Sequence, residues 1–393
     1  MTEDNNLYNT LGVSSKKDEV HKALNSIDKG LFPGAFCRIV EDIDDRKDYC
    51  SIFHADGAGT KASLAYMYYK ETGDISVFKG IVRDAMVMNL DDILCVGATG
   101  NIFFTNNLGR NRQFINGDII GTIIKEYYDY SEKLTSLGVH VKMCGGETAD
   151  IGDIVKTLVV DASAFTTMKR ENIIDASNIK TDDVIIGLAS YGKASYEDEY
   201  NSGIGSNGLT LARHGLLSHS YYKKYPECYD KNLDEKLVFF GKYKLTDKIN
   251  EFDLSIGRAL LSPTRTYAPI IKDVVEKYRN DIHGIIHNTG GGQTKIVKFG
   301  KGIKYVKNNL FRIPKIFDLI QRSSETQWKE MFSVFNMGHR MEILCHESIA
   351  SEIIKVIKNY EIDSKIIGYC EKSPLKDKNS LELKSEFGSF MYD

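Results

Sequence analysis

Within the 393-residue sequence, the six residues Asp56-Gly57-Ala58-Gly59-Thr60-Lys61 place an acid, two glycines, a hydroxyl and an ammonium between two apolar runs. Asp56 offers a hard oxygen ligand, Gly57 and Gly59 let backbone approach a phosphate, and Lys61 adds a positive point charge. The stretch is not the GxxxxGK[ST] loop, because the glycine spacing differs and the lysine follows the threonine. Its plain alternative is a glycine-rich turn in which Thr60 caps the next helix.

Three further acids, Asp84, Asp91 and Asp92, interrupt the otherwise apolar run 80-GIVRDAMVMNLDDILCVGA-98. On a helix, residues seven apart lie about 20° apart and residues eight apart about 80°, so Asp84 and Asp91 stack and Asp92 flanks them. Carboxylates on a buried helix face are costly unless a cation compensates them, whereas on a surface they are ordinary. A fourth acid, Glu147, follows Gly145-Gly146 at the end of another strand-like run, where a tight turn is the alternative. Acids beside glycine loops and a lysine fit Mg²⁺ holding a nucleoside triphosphate.

In the second half, 203-GIGSNG-208 and 289-TGGGQT-294 each follow a strand-like run, and their exposed N–H groups could bind anions. His287, just before the second, is the best candidate for a polarising or proton-handling group, although a histidine at a strand end is more often structural. No HExxH or GxSxG pattern occurs, which removes zinc-protease and serine-hydrolase readings.

These groups need a scaffold of strands and helices. Strand patterns cover 49–55, 139–146, 153–165, 184–190, 282–288, 340–345 and 365–370; helical periodicity marks the segments from 62, 78–98, 117–138 and 267–280. Residues 168–183 relax into turn-forming chemistry, dividing an N-terminal domain, 1–170, from a C-terminal one, 171–393. The segment 191–250 reads as a long excursion, and the first 35 residues as a polar arm with a short amphipathic stretch.

Composition narrows the partners. The 51 basic and 54 acidic residues nearly cancel and form no long block, which argues against nucleic acid or an anionic membrane and for a small solute. No apolar run approaches the roughly eighteen residues of a membrane span, and MTEDNNLYNTLG lacks signal-peptide order, so the expected location is cytoplasmic. The seven scattered cysteines fit reduced thiols.

The motifs DGAGTK (56–61), DDILCVGA (91–98), GGETAD (145–150), GSNGLTLAR (205–213), LLSPTRTYAP (260–269), HNTGGG (287–292) and FNMG (335–338) follow one another in a specific order. As a set they resemble the phosphoribosylformylglycinamidine cyclo-ligases, the aminoimidazole ribonucleotide synthetases of purine synthesis. The resemblance implies a mixed α/β, two-domain, ATP-dependent synthetase fold. Its N-terminal sheet would form a β-barrel across a homodimer, and its C-terminal mixed sheet would carry packed helices. It implies ATP-driven phosphorylation of the formyl oxygen of formylglycinamidine ribonucleotide, then ring closure by the amidine nitrogen. Asp56, Asp84, Asp92 and Glu147 would handle metal and phosphate; Lys29, Gly57, Gly59, Thr60, Lys61, Gly145 and Gly146 would contact ATP. Ser206, Asn207, Gly208, Thr289, Gly290, Gly291 and Gly292 would face the substrate, with Asp56, Lys61 and His287 catalytic. Helix geometry favours Asp91 as the partner of Asp84, while the motif favours Asp92.

Two departures from the pattern stand out. Gly205 occupies the position where the family usually has a histidine, preceded by the extra stretch 193-KASYEDEYNSGI-204, and His339-Arg340-Met341-Glu342 puts charge after FNMG. Other ATP-dependent synthetases of the superfamily, and a nucleotide-binding regulator without turnover, are the competing readings.

Overall fold

A computed structural model describes residues 6–14, 18–24, 26–249 and 252–393. The N-terminal lobe holds helices α1 (Leu7–Thr10), α2 (Asp18–Leu24), α3 (Lys61–Thr72), α4 (Val77–Leu94) and α5 (Gly117–Ser136). Its strands are β1 (Ile39–Glu41), β2 (Tyr49–Gly57), β3 (Ile102–Arg110), β4 (Val141–Asp150) and β5 (Leu158–Lys169), ordered β1-β2-β5-β3-β4. Only β3 and β4 run parallel, joined by the α5 crossover.

The second lobe begins at β6 (Asp183–Ala189), followed by α6 (Leu209–Leu216), α7 (Ser220–Lys224), the small hairpin β7 (Lys248–Ile249) and β8 (Phe252–Ser255), α8 (Ile256–Leu260) and α9 (Ala268–Tyr278). It continues with β9 (Ile282–His287), β10 (Ile303–Lys307), α10 (Lys315–Ser324), α11 (Trp328–Val334), β11 (His339–His346), α12 (Glu347–Lys358), β12 (Ser364–Lys372), β13 (Ser380–Ser385) and β14 (Gly388–Tyr392). Seven of these strands form a mixed sheet, β14-β13-β10-β12-β6-β11-β9, whose interior strand β6 is buried at every position. Continuous burial is what its unbroken run VIIGLA demands.

Helix α4 decides the architecture. Of its eighteen residues, only Lys79 and Arg83 are not buried, so it is enclosed on all sides. One side packs on β2 and β5; another meets α9 and β9 of the second lobe. The three acids predicted on this helix therefore lie between the lobes. The start of the predicted excursion is packed down: Glu197 pairs with Arg265 at 2.5 Å, the Asn201 amide donates to the Pro263 carbonyl at 2.8 Å, and Ser202 Oγ donates to Ala259 O at 2.6 Å. The extra stretch is thus sewn onto the SPTR segment.

Candidate active site between the lobes

Asp84 and Asp91 both point at residues 262–267, as their 20° separation requires. Asp84 Oδ1 accepts from Thr264 N at 2.7 Å, Thr264 Oγ1 at 2.6 Å and Lys61 Nζ at 2.9 Å; Asp91 accepts from Thr266 Oγ1 at 2.7 Å and Tyr267 N at 3.1 Å. Lys61 is fully buried and also donates to the carbonyls of Gly205, at 3.1 Å, and Ser262, at 2.6 Å. Burial lowers its affinity for a proton, which Asp84 opposes. With its three donors engaged, Lys61 ties the first lobe to the Gly205 and Ser262 segments of the second.

Asp92 faces elsewhere. Its carboxylate receives His287 Nδ1 at 2.7 Å and His54 Nε2 at 3.2 Å. Burial pushes the Asp92 carboxyl upward, but the two histidines overcome that and hold it well below the usual carboxylate range. His54 Nδ1 meets Asn89 Oδ1 at 3.0 Å, so both of its ring nitrogens face acceptors and the geometry calls for imidazolium. Burial opposes this, yet Asp92 raises the His54 pKa. His287 is different: Nδ1 donates to Asp92 while Nε2 accepts from Arg340 Nε at 3.0 Å, which specifies the neutral ring. Both nitrogens of the candidate proton-handling residue are therefore occupied.

Asp56 ends β2 on the same face as His54, two residues away. Its side chain accepts from Gly57 N at 2.7 Å, and burial with the Asp92 charge raises its pKa. Opposite Gly57 lies Asp161 of β5, so close that a Cβ on Gly57 would come within 1.7 Å of its Oδ1. Burial and Asp56 raise the Asp161 pKa as well. By the same alternation Asp161 shares the sheet face of Gly57 and Phe165, whereas Asp56 faces α4 with His54.

Around this centre, Gly59 and Thr60 are exposed at the start of α3, and Thr60 does not cap it through its side chain. Lys29 is exposed on the arm, which packs over the second lobe through Phe36 stacked on Phe299 at 5.1 Å. Ser206 and Asn207 are half-buried; Thr264 Oγ1 donates to Ser206 Oγ at 3.3 Å. Gly208 starts α6 at φ 76°, with the Phe335 ring 2.3 Å from where a Cβ would lie. Asn336 of FNMG donates to the carbonyls of Gly203, at 2.9 Å, and Ile204, at 3.3 Å, so this motif clamps the loop that precedes Ser206. Thr289 accepts from Lys295 Nζ at 3.2 Å, Gly290 is exposed, and Gly291 and Gly292 are buried. Gly145 is half-buried, while Gly146 and Glu147 are exposed on the edge strand β4, where Glu147 accepts from Thr148 N at 3.0 Å. Among the described residues no group of three His, Cys, Asp or Glu side chains stands in metal-holding geometry, so Asp56, Asp84, Asp92 and Glu147 do not converge on one point.

Sequence reasoning gave no role to His54 or Asp161, and marked Thr264, Thr266 and Arg340 only as members of motifs or departures from them. The alternation His54-Ala55-Asp56 was the available signal for the first, since it puts both polar groups on one face of a strand.

Residues 35–168 match the family model described as AIR synthase related protein, N-terminal domain. The chain is 29% identical over 361 residues to the phosphoribosylformylglycinamidine cyclo-ligase of Carboxydothermus hydrogenoformans, covering 90% of each. Residues 35–168 are thus similar to the N-terminal domain of AIR synthase related proteins. The cyclo-ligase of Methanococcus vannielii is 28% identical over 344 residues, 86% of this chain and 81% of its own. The fold is also that of T. maritima PurL, solved in complex with ADP: TM-score 0.53 at 13% identity, covering 98% of this chain. The chain spans about half of that protein, matching 49% of it. The AIR synthase related model thus falls on the lobe that holds β2, α4 and most of the acids. Among the described residues, no helix is long and apolar enough to cross a membrane.

Proposed function

We propose that the chain is an ATP-dependent cyclo-ligase that converts formylglycinamidine ribonucleotide into aminoimidazole ribonucleotide, releasing ADP and phosphate, within the cytoplasm. What supports the reading is that residues far apart in sequence bond to one another between the lobes, Lys61 to Asp84 and Asp92 to His287 and on to Arg340, in a chain whose cyclo-ligase relatives match it over most of their length. The γ-phosphoryl group of ATP passes to the formyl oxygen, which converts a poor leaving group into phosphate. The amidine nitrogen then attacks that carbon, loses a proton, and expels phosphate as the ring closes. Such chemistry needs positioning and charge neutralisation rather than a covalent nucleophile.

Residues 1–170 would supply the nucleotide side, with Gly57, Gly59, Thr60, Lys29, Gly145 and Gly146 toward phosphates; residues 171–393 would supply Ser206–Gly208 and Thr289–Gly292 toward the ribonucleotide. Mg²⁺ would be held on the α4 side of the sheet by the Asp56 carboxylate, which burial desolvates. Glu147 would be a further donor, and Asp84 and Asp92, already bonded, would stand behind. When bound, the ion would neutralise phosphate charge. Lys61 and His287 would act by holding the substrate loop and Asp92 in place.

A homodimer through the N-terminal sheets is part of the proposal. Phe53, Phe165 and Phe103 are cross-strand neighbours on β2, β5 and β3, and Phe53 and Phe103 are 62% and 41% exposed. A row of exposed rings on the sheet face opposite α4 suits a second copy.

The test is to mix protein, ATP, Mg²⁺ and formylglycinamidine ribonucleotide and measure ADP and the diazotisable aminoimidazole. Substrate-dependent appearance of both is expected; ADP release indifferent to the ribonucleotide would refute the reading.

A further inference from the structure

The two sequence departures, at Gly205 and at Arg340, touch each other. Arg340 is only 2% exposed and reaches from β11 into the gap beside Gly205, where a Cβ on residue 205 would stand 3.3 Å from its Nη1. A guanidinium fills the room that the missing side chain leaves.

Its bonding is incomplete. Nε donates to His287 Nε2 at 3.0 Å and Nη2 donates to the Arg265 carbonyl, while Nη1 makes no hydrogen bond among the described residues. The nearest carboxylate, Asp91 Oδ2, is 4.0 Å from Nη2 and is already satisfied by Thr266 and Tyr267. The guanidinium carbon also sits 5.4 Å over the Tyr267 ring. A buried cation without a close counter-ion is costly, and the cost is offset when an anion arrives.

The surroundings say where that anion would be. The Gly205 carbonyl is held by Lys61 from the nucleotide-side lobe, and Ser206-Asn207-Gly208 follow directly. His287, fixed by Arg340 on one side, leans on Asp92 on the other. Nη1 thus lies where the nucleotide side and the acceptor side of the cleft meet, and a guanidinium fork suits phosphoryl oxygens. Resting on the cyclo-ligase reading, we infer that Arg340 is a further catalytic residue of this chain: its Nη1, in the space opened by Gly205, contacts the phosphoryl group during transfer to the formyl oxygen. Its Nε at the same time keeps His287 in the tautomer that donates to Asp92.

The experiment compares wild type, Arg340→Met, Arg340→Lys, Gly205→Ala and the Gly205→Ala/Arg340→Met double variant in the ADP-release assay, with circular dichroism to verify folding. For Arg340→Met, kcat should fall by about 10²–10³ with KM for both substrates nearly unchanged, because the contact exists in the transition state. Arg340→Lys should recover about tenfold of that loss by restoring charge without the fork. Gly205→Ala, strained at φ 69° in both backgrounds, should lower kcat by a larger factor in the wild type than in the Met background, where no guanidinium is left to displace. Wild-type kcat in Arg340→Met, a loss confined to KM, Lys performing no better than Met, or additive Gly205 and Arg340 effects would each overturn the inference while leaving the cyclo-ligase reading intact. A wild type without ribonucleotide-dependent ADP release would overturn both.

Discussion

Replacing Lys61 by methionine separates two roles that the sequence left joined. Methionine nearly matches the length and volume of the lysine stem, so the change removes the ammonium with little cavity. What is lost is a bond to Asp84 at 2.9 Å and bonds to the Gly205 and Ser262 carbonyls at 3.1 and 2.6 Å. Asp84 keeps its two Thr264 donors, but its charge remains wholly buried, and its Oδ2 already has no partner. Breaking one side of a buried pair costs about 3–5 kcal/mol. At roughly 2 °C per kcal/mol for a chain of this size, the thermal midpoint should drop by about 6–10 °C. Adding Asp84→Asn neutralises the stranded charge while retaining an oxygen for Thr264, and should restore about 1–2 kcal/mol. Urea unfolding followed by far-ultraviolet dichroism and by Trp328, the only tryptophan, reads both numbers. If Lys61 served only to bind triphosphate, the variant would unfold like the wild type and show a raised KM for ATP. That outcome, or a double variant less stable than Lys61→Met, would refute the argument.

Asp56→Asn should leave the fold intact and lower ribonucleotide-dependent ADP release by about 10²–10³, since the site loses a charge aimed at metal or phosphate; single-turnover assays check it. Gly208→Ala should destabilise by on the order of 2–4 kcal/mol, because alanine disfavours φ 76° and its methyl would strike Phe335; urea midpoints measure this. In the second lobe, burial pushes the Glu342 carboxyl upward, but Lys307 at 2.5 Å and His339 at 3.0 Å hold it at about 2. A depressed folded pKa contributes stability above the unfolded value of about 4.3 that disappears as pH falls through the folded one. Glu342→Gln should therefore lag the wild type at pH 7, and the gap should narrow below about pH 4.3; a constant gap from neutrality to pH 2.5 contradicts this. Phe53→Asp should convert dimer to monomer in sedimentation, placing a charge in the exposed aromatic row.

How much of this was legible in the sequence differs between elements for physical reasons. Runs such as VIIGLAS and IHGIIHN read as strands because both faces of their sheet are covered, and α5 is bounded by the Asn116 cap and Gly138. Strand β3 is hidden because Asn106 and Asn107 interrupt its apolar run, and the hairpin β13–β14 because its sequence is largely polar. Helices α10 and α12 lie outside the reading although their apolar spacing is plain. At the site, one-dimensional geometry succeeded where partners lie on one element: Asp84 and Asp91 do share a side of α4. It could not show that this side meets Thr264 and Thr266, or that Asp92 faces His54 and His287, because those partners come from β2, β9 and the SPTR segment. The motif pattern marked Lys61 and His287 as chemically special; only packing reveals that their donors and acceptors are consumed inside the protein.

The contact between Gly205 and Arg340 also restricts the order in which such a site can change. With 3.3 Å between Nη1 and a hypothetical Cβ, a side chain at 205 and an arginine at 340 compete for one volume. Arginine arriving first would be crowded out of the cleft, whereas glycine arriving first opens a vacancy that arginine can later fill. The reverse route is steeper: a Cβ at 205 presses on the seated guanidinium and must also adopt the strained φ of 69°. A lineage that has made both exchanges therefore returns most readily by losing the arginine before it regains a side chain at 205.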